Sequence, residues 1–274
     1  MCGLRNVPVV LLHALPLSSV MWQAQAASLR ARGHTVITPD QRGFGGNPLG
    51  TAAPSLHTVA DDLAALLDER GVDSVALAGC SMGGYVAMAF LRRYRHRVRA
   101  LALLGTRAAA DTPETVAKRI GFADLMLDDS RRDHLVARTT PLLLGTTTRD
   151  RHPGLVDRVT AMAAAAAPEA VAWAQRAIAA RPDSWSVLRD TDVPAVVVAG
   201  AEDELVAMDE AASMAEALPR GRLVTVPAAG HLQPLEAPEY VTELLIALLD
   251  AAAADRQHLA VESPADVEDG GNRC

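Results

Sequence analysis

The chain reads as an α/β protein: a doubly wound, mostly parallel sheet of about six strands carrying an inserted α-helical lid. Three observations predict this class. Short, wholly apolar runs alternate with amphipathic helical stretches, as buried parallel strands alternate with their crossover helices. The alternation stops after residue 106 and resumes near 190, with only helical patterning between. A glycine-flanked serine stands between one apolar run and the helix after it, at a strand end where such sheets build their sites.

Pro8-Val9-Val10-Leu11-Leu12-His13 is a continuous apolar run ended by a turn, and reads as the first strand. Ser18-Ser19 offers a cap for a helix through about Arg32, with Gly33 as its stop. Val36-Ile37-Thr38 is the second strand, followed by the loop from Pro39 to Pro48. Residues 57 to 70 are amphipathic, with Val59, Leu63, Leu66 and Leu67 on one face and Gly71 at the end. Val75 to Ala78 is the third strand, Met82 to Arg95 the third helix and Leu101 to Leu104 the fourth strand. Helical patterns then cover Pro113 to Met126, Asp129 to Thr139, Leu155 to Ala167 and Pro168 to Ala180. Strands are expected again at Ala195 to Gly200 and Arg222 to Val226, and a last helix from Pro238 to Ala254. The expected division is a core of residues 1–106 and 190–254, a lid of 107–189, and a disordered acidic tail of 255–274.

Composition excludes several classes. Half of the 274 residues are hydrophobic, enough for a sizeable core. The net charge of −7 argues against nucleic acid or an anionic membrane as partner. Aromatics are 3%, too few for a base-stacking platform. Cys2, Cys80 and Cys274 form neither a disulfide framework nor a zinc site, so a cytoplasmic setting with no metal is expected. No signal peptide or membrane-spanning run is read. Lys118 is the only lysine, which reads as coding bias.

Gly79-Cys80-Ser81-Met82-Gly83-Gly84 carries the chemistry. A serine nucleophile must project into a site, meet a base and face backbone N–H donors. A sharp strand-to-helix turn does this only if the positions two before and two after the serine are small. Such a pattern alone occurs by chance in about one chain in ten of this size, so the flanking strand and helix carry the weight. Centring the turn on Cys80 would put Met82 at a small position, so Ser81 is the expected nucleophile and Cys80 a packing residue. On this kind of sheet the acid and then the base follow in chain order. Asp203 follows one strand, with Glu202 and Glu204 as rivals, and His231 follows the next. The oxyanion donors are expected at the backbone N–H groups of Met82 and Leu15. Pocket candidates are Trp22, Met126, Leu143, Trp173, Trp185 and Leu232, with Met162, Leu142 and Leu144 nearby in sequence. The low aromatic count predicts an aliphatic pocket.

These blocks resemble the α/β-hydrolase superfamily over residues 8 to 250. The resemblance rests on His13-Ala14-Leu15-Pro16 with Trp22, Pro39 to Gly45, Gly79 to Gly84, and Gly230-His231 with Leu235-Glu236-Ala237-Pro238. Within it the chain is similar to enol-lactonases, small carboxylesterases and cofactor-free haloperoxidases. The resemblance implies Ser81, Asp203 and His231 as a triad, no cofactor, a structural role for Asp40 and Arg42, and a small ester or lactone as substrate. Alternatives are a perhydrolase or C–C bond hydrolase on the same triad, an aspartate-nucleophile hydrolase, and a non-catalytic ligand receptor. Two departures stand out. Ala14 replaces the usual glycine after the histidine. The two antiparallel strands that commonly open the superfamily sheet have no room before Val9, so Val36 to Thr38 is expected at an edge, bare or covered in a homodimer.

Overall fold

The computed structural model describes residues 7–261. Its strands are β1 (Val9–Leu12), β2 (Val36–Ile37), β3 (Val75–Cys80), β4 (Val98–Leu104), β5 (Ala195–Gly200) and β6 (Gly221–Val226). All pair in parallel, in the order β2-β1-β3-β4-β5-β6. Every residue of β1, β3 and β5 is buried, which is why their sequences run apolar without alternation. Strand β2 is an edge of only two residues, and Arg30 Nη2 donates to the Val36 carbonyl there (3.2 Å).

The helices are α1 (Gln23–Ala31), α2 (Leu56–Glu69), α3 (Met82–Tyr94), α4 (Pro113–Met126), α5 (Arg132–Thr139), α6 (Thr146–Arg151), α7 (Pro153–Ala164), α8 (Pro168–Ala179), α9 (Trp185–Arg189), α10 (Met208–Ala217), α11 (Gln233–Glu236) and α12 (Pro238–Val261). The strand order reverses beside β1, so right-handed crossovers send α1 and α3 to opposite faces. Accordingly α1 packs with α12, and α2 packs with α3. Between β4 and β5 the chain is entirely helical or looped, with α4 packed on α8, while α9 packs on α3 and α10.

Local chemistry explains the helix ends. Ser55 Oγ caps α2 through the His57 N–H (3.2 Å), and Thr112 Oγ1 caps α4 through the Thr115 N–H (3.3 Å), with Pro113 in the first turn. The start of α1 differs from expectation. A 3-10 turn at Ser19–Trp22 precedes it, Ser18 makes no side-chain cap bond, and the Ser19 N–H donates to Asp40 Oδ1 (2.7 Å). Gly33 does end α1, at φ +84°, as His34 N–H returns to the Leu29 carbonyl (3.1 Å).

The structure departs from expectation at the chain's last helix and in several short helices. The last helix does not stop at Ala254 but runs to Val261, and Arg220 Nη2 holds Asp255 Oδ1 at 2.8 Å. Residues 255–261 are therefore helix, not tail, and the rest of the expected tail lies outside the described residues, as does Cys274. Helices α6, α9 and α10 are further elements beyond those the sequence patterning predicts. The short α11, between His231 and the last helix, was also not expected.

Candidate active site

Ser81 sits on the link between β3 and α3 at φ 52°, ψ −112°, a conformation that costs a non-glycine residue about 1–3 kcal/mol. Its N–H donates to the Leu104 carbonyl (2.8 Å), and its carbonyl accepts from Thr106 Oγ1 (2.9 Å) and the Gly84 N–H (2.9 Å). Those bonds hold the strain. The two small positions are needed: a Cβ on Gly79 would lie 2.2 Å from the Gly83 carbonyl oxygen, and one on Gly83 would lie 2.3 Å from that of Leu12. Cys80 is fully buried, and burial pushes its thiol well above its ordinary pKa. Its sulfur packs 3.7 Å from the His231 carbonyl oxygen.

The loops after β5 and β6 bring the other two groups to Ser81. His231 Nε2 lies 2.8 Å from Ser81 Oγ, and Nδ1 lies 3.0 and 3.2 Å from the Asp203 carboxylate oxygens. A carboxylate only accepts, so Nδ1 carries the proton and Nε2 accepts from the serine hydroxyl. Both side chains are buried. Burial pushes the Asp203 carboxyl up, but the His231 hydrogen bond and charge and the N–H groups of Leu205 (2.8 Å) and Val206 (3.1 Å) outweigh it. The carboxyl therefore stays below its ordinary value. Neither rival acid reaches His231. Glu202 accepts from the Thr147 N–H (2.7 Å) and hydroxyl (2.6 Å), and Glu204 pairs with Arg149 (2.8 Å).

Glu236, at the end of α11, carries a role that its sequence position does not signal. Its Oε1 accepts from the N–H groups of Gly230 (2.9 Å) and Leu232 (3.1 Å), on either side of His231. Its Oε2 accepts from Gly145 N–H (2.7 Å) and Thr148 Oγ1 (2.8 Å) in the helical segment. The His231 N–H donates to the Leu143 carbonyl (3.1 Å). One carboxylate thus ties the histidine loop to the segment above it.

His13 is also buried. Its Nε2 accepts from the Gln41 N–H (2.9 Å), so Nδ1 is the protonated nitrogen and donates to the Ala14 carbonyl (3.1 Å). Burial lowers its pKa to about 4. Gln41 Nε2 donates to the His13 carbonyl (2.7 Å), tying the two loops. Arg42 grips Asp62 with two bonds (2.7 and 2.9 Å) and Asp40 holds Ser19, so both have structural partners. Ala14 has no left-handed backbone, and its N–H faces Met21 Sδ at 3.1 Å, so alanine is accommodated there. Among the described residues, no protein acceptor takes the N–H of Leu15 or of Met82, the first residue of α3.

A cavity of about 350 Å³ opens over Ser81 and His231, with Leu15, Tyr85, Phe122, Leu143 and Leu205 in its wall. A second chamber of about 320 Å³ adjoins it, lined by Met126, Val136, Leu142 and Val171. The second chamber is mostly aliphatic, whereas the cavity over Ser81 mixes aliphatic side chains with the aromatic Phe122 and Tyr85 and with polar and basic ones. Of the pocket candidates, Met126, Leu142 and Leu143 line this space. Trp22, Trp173, Trp185 and Leu232 do not. Trp22 and Leu232 are fully buried in the core. Trp173 Nε1 donates to the Ala52 carbonyl (2.8 Å), and Trp185 faces a separate groove beside α10. Met162 and Leu144 also lie outside the lining. Among the described residues no group of His, Cys, Asp or Glu could hold a metal ion, and no helix is long and apolar enough to cross a membrane.

The sheet order, the strained serine turn and the loops after β5 and β6 define a hydrolase of the doubly wound α/β class. The family described as the alpha/beta hydrolase fold matches residues 7–238, and the chain belongs to it. It is similar to a thermophilic esterase from Thermogutta terrifontis, at 36% identity and TM-score 0.86 over 90% of each chain. It is 32% identical over 243 residues to the pimeloyl-[acyl-carrier protein] methyl ester esterase of Aromatoleum aromaticum, covering 84% of this chain and 93% of that protein. Epoxide hydrolase A of Mycobacterium tuberculosis is 34% identical over 127 residues, but that match covers 44% of this chain and 39% of the relative's length. The chain is therefore an enzyme of this fold, with named esterases among its relatives.

Proposed function

We propose that the protein is a serine hydrolase that cleaves a small or medium carboxylic ester or lactone through an acyl-enzyme. The observation that carries this reading is the unbroken line from Ser81 Oγ through His231 to the Asp203 carboxylate. His231 Nε2 takes the Ser81 proton as Oγ attacks the acyl carbon, and returns it to the leaving alcohol oxygen. The N–H groups of Leu15 and Met82 stabilise the tetrahedral oxyanion, the latter helped by the N-terminus of α3. Water, deprotonated by His231, then adds to the acyl-enzyme, releasing the acid and restoring Ser81. Asp203 keeps the imidazole in the working tautomer and stabilises its cation.

The epoxide hydrolase similarity covers under half of this chain. An ester formed on an aspartate is a different chemistry, and the turn between β3 and α3 holds Ser81. The esterase likenesses span the chain almost end to end, which supports the ester reading.

A fluorophosphonate probe is expected to label folded wild-type protein at Ser81 and to leave Ser81→Ala unlabelled. Ester hydrolysis in that variant is expected to fall by about 10⁶-fold. Turnover that survives Ser81→Ala sinks the assignment.

A further inference from the structure

The cavity over Ser81 has a cationic wall in an acidic protein. The chain carries a net charge of −7, yet Arg107, Lys118 and Arg119 line the cavity and no carboxylate does. The acids belonging to these cations lie behind or beside them. Asp111, whose side chain is fully buried, is shared by Arg119 (2.5 Å) and Arg181 (2.8 Å), so one carboxylate faces two guanidiniums. Arg107 Nη2 donates to the Leu205 carbonyl. Its Nε is buried and forms an ion pair with the Glu210 carboxylate at 3.7 Å, without a hydrogen bond. Lys118, the chain's only lysine, stands exposed at the rim beside Glu114 (2.6 Å).

Arg119 and Arg181 share the single carboxylate of Asp111, so the wall carries more positive charge than the acid behind it neutralises, and an anion entering the cavity would offset it. The same cavity runs into the apolar chamber across Leu15, Phe122 and Leu143. A neutral ester would use the apolar chamber and leave the cationic wall unused.

Resting on the esterase reading above, we propose that the substrate is an anionic ester or lactone: one bearing a free carboxylate, held by Arg107 and Arg119 within the cavity and drawn in by Lys118 at the rim. The carboxylate makes and breaks no bond. Water adds across the acyl–oxygen bond at Ser81, the alcohol leaves with a proton, and the second carboxylate is released unchanged on the product.

The test compares the monomethyl and dimethyl esters of linear dicarboxylic acids, succinic through suberic, in wild-type protein and in Arg107→Gln, Arg119→Gln and Lys118→Gln. The readout is the ratio of kcat/KM, half-ester over diester, within each protein. Damage to the fold or to the Asp203 loop lowers both rates and cancels in that ratio. In wild type the ratio is expected to exceed about ten at some chain length and to fall as salt is added. Each arginine variant is expected to lower it by threefold or more, and Lys118→Gln by less. A ratio at or below about two at every length overturns the proposal, as does a ratio that none of the variants changes. If the diesters are turned over with a flat ratio, the Ser81 esterase reading stands and only the anionic substrate is lost. If no ester is turned over by any protein, both are lost.

Discussion

The turn that carries Ser81 and the helical segment between β4 and β5 are built by different physics. The turn is a place of close backbone contact: two glycines with no room for a Cβ, one strained φ, and hydrogen bonds to β4 and Thr106 that hold it. The helical segment is held by exchangeable contacts. Helix α4 lies on α8, Arg176 reaches Asp124 (2.7 Å), and Glu202, Glu204 and Glu236 grip α6 from the core. The first region allows almost no substitution, while the second can vary its apolar lining at modest cost. Chemistry is therefore expected to be rigid and substrate choice adjustable.

The contrast can be broken or sharpened by experiment. After loss of Ser81 itself, the largest effect is expected from Asp203→Asn, which keeps the shape but presents an amide to Nδ1 and favours the wrong imidazole tautomer. The kcat for ester hydrolysis should fall by about 10⁴-fold with Tm little changed. A loss under tenfold would mean that another acid orients His231.

Gly83→Ala comes next. A Cβ 2.3 Å from the Leu12 carbonyl oxygen forces β1 and α3 apart, and a Tm fall of roughly 10 °C or more is expected by thermal denaturation. A single alanine substitution on the exposed face of α5 should shift Tm by no more than about 2 °C.

His13 predicts an acid-sensitive core. Its pKa is about 4 when folded against an ordinary 6.5, so below pH 6.5 the unfolded chain binds the extra proton. Stability from this group is complete above pH 6.5, is lost progressively as pH falls to about 4, and does not change further below that. The loss is on the order of 3 kcal/mol. Urea unfolding at pH 7 and pH 4.5 checks it, and equal stabilities at the two values would exclude a neutral buried His13.

Glu236→Gln is expected to act on both regions at once. The amide replaces one acceptor oxygen, so either the Gly230 and Leu232 N–H groups or the Gly145 N–H and Thr148 hydroxyl lose their partner. A cost of about 2 kcal/mol and a tenfold lower kcat are expected. A change in Tm with kcat intact would show that the histidine loop holds its place without the segment above it.

Much of the candidate site is legible in the sequence. Sterics two residues either side of a serine are a local property, so Gly79, Ser81 and Gly83 could be read directly. The order of strands and loops pointed to Asp203 and His231, and the structure brings both to Ser81. The pocket was less legible. Trp22, Trp173 and Trp185 lie outside the cavity because a large aromatic fills a core or a seam as readily as a pocket. Helix α10 had a readable signal in Ala211, Met214, Ala215 and Leu218 at helical spacing, all buried, but alanine-rich stretches weaken that contrast. The fourfold grip of Glu236 had no signal, because its partners Gly145 and Thr148 lie some ninety residues earlier.

By itself the sequence determined the parallel sheet, the serine turn and the chain order of the acid and base. These depend on apolar runs and on steric limits between near neighbours. Only the tertiary structure decided which acid meets His231, which side chains wall the cavity, and that arginines and the single lysine gather there. Those outcomes depend on how segments distant in the chain are brought within a few ångströms, and no local pattern encodes that distance.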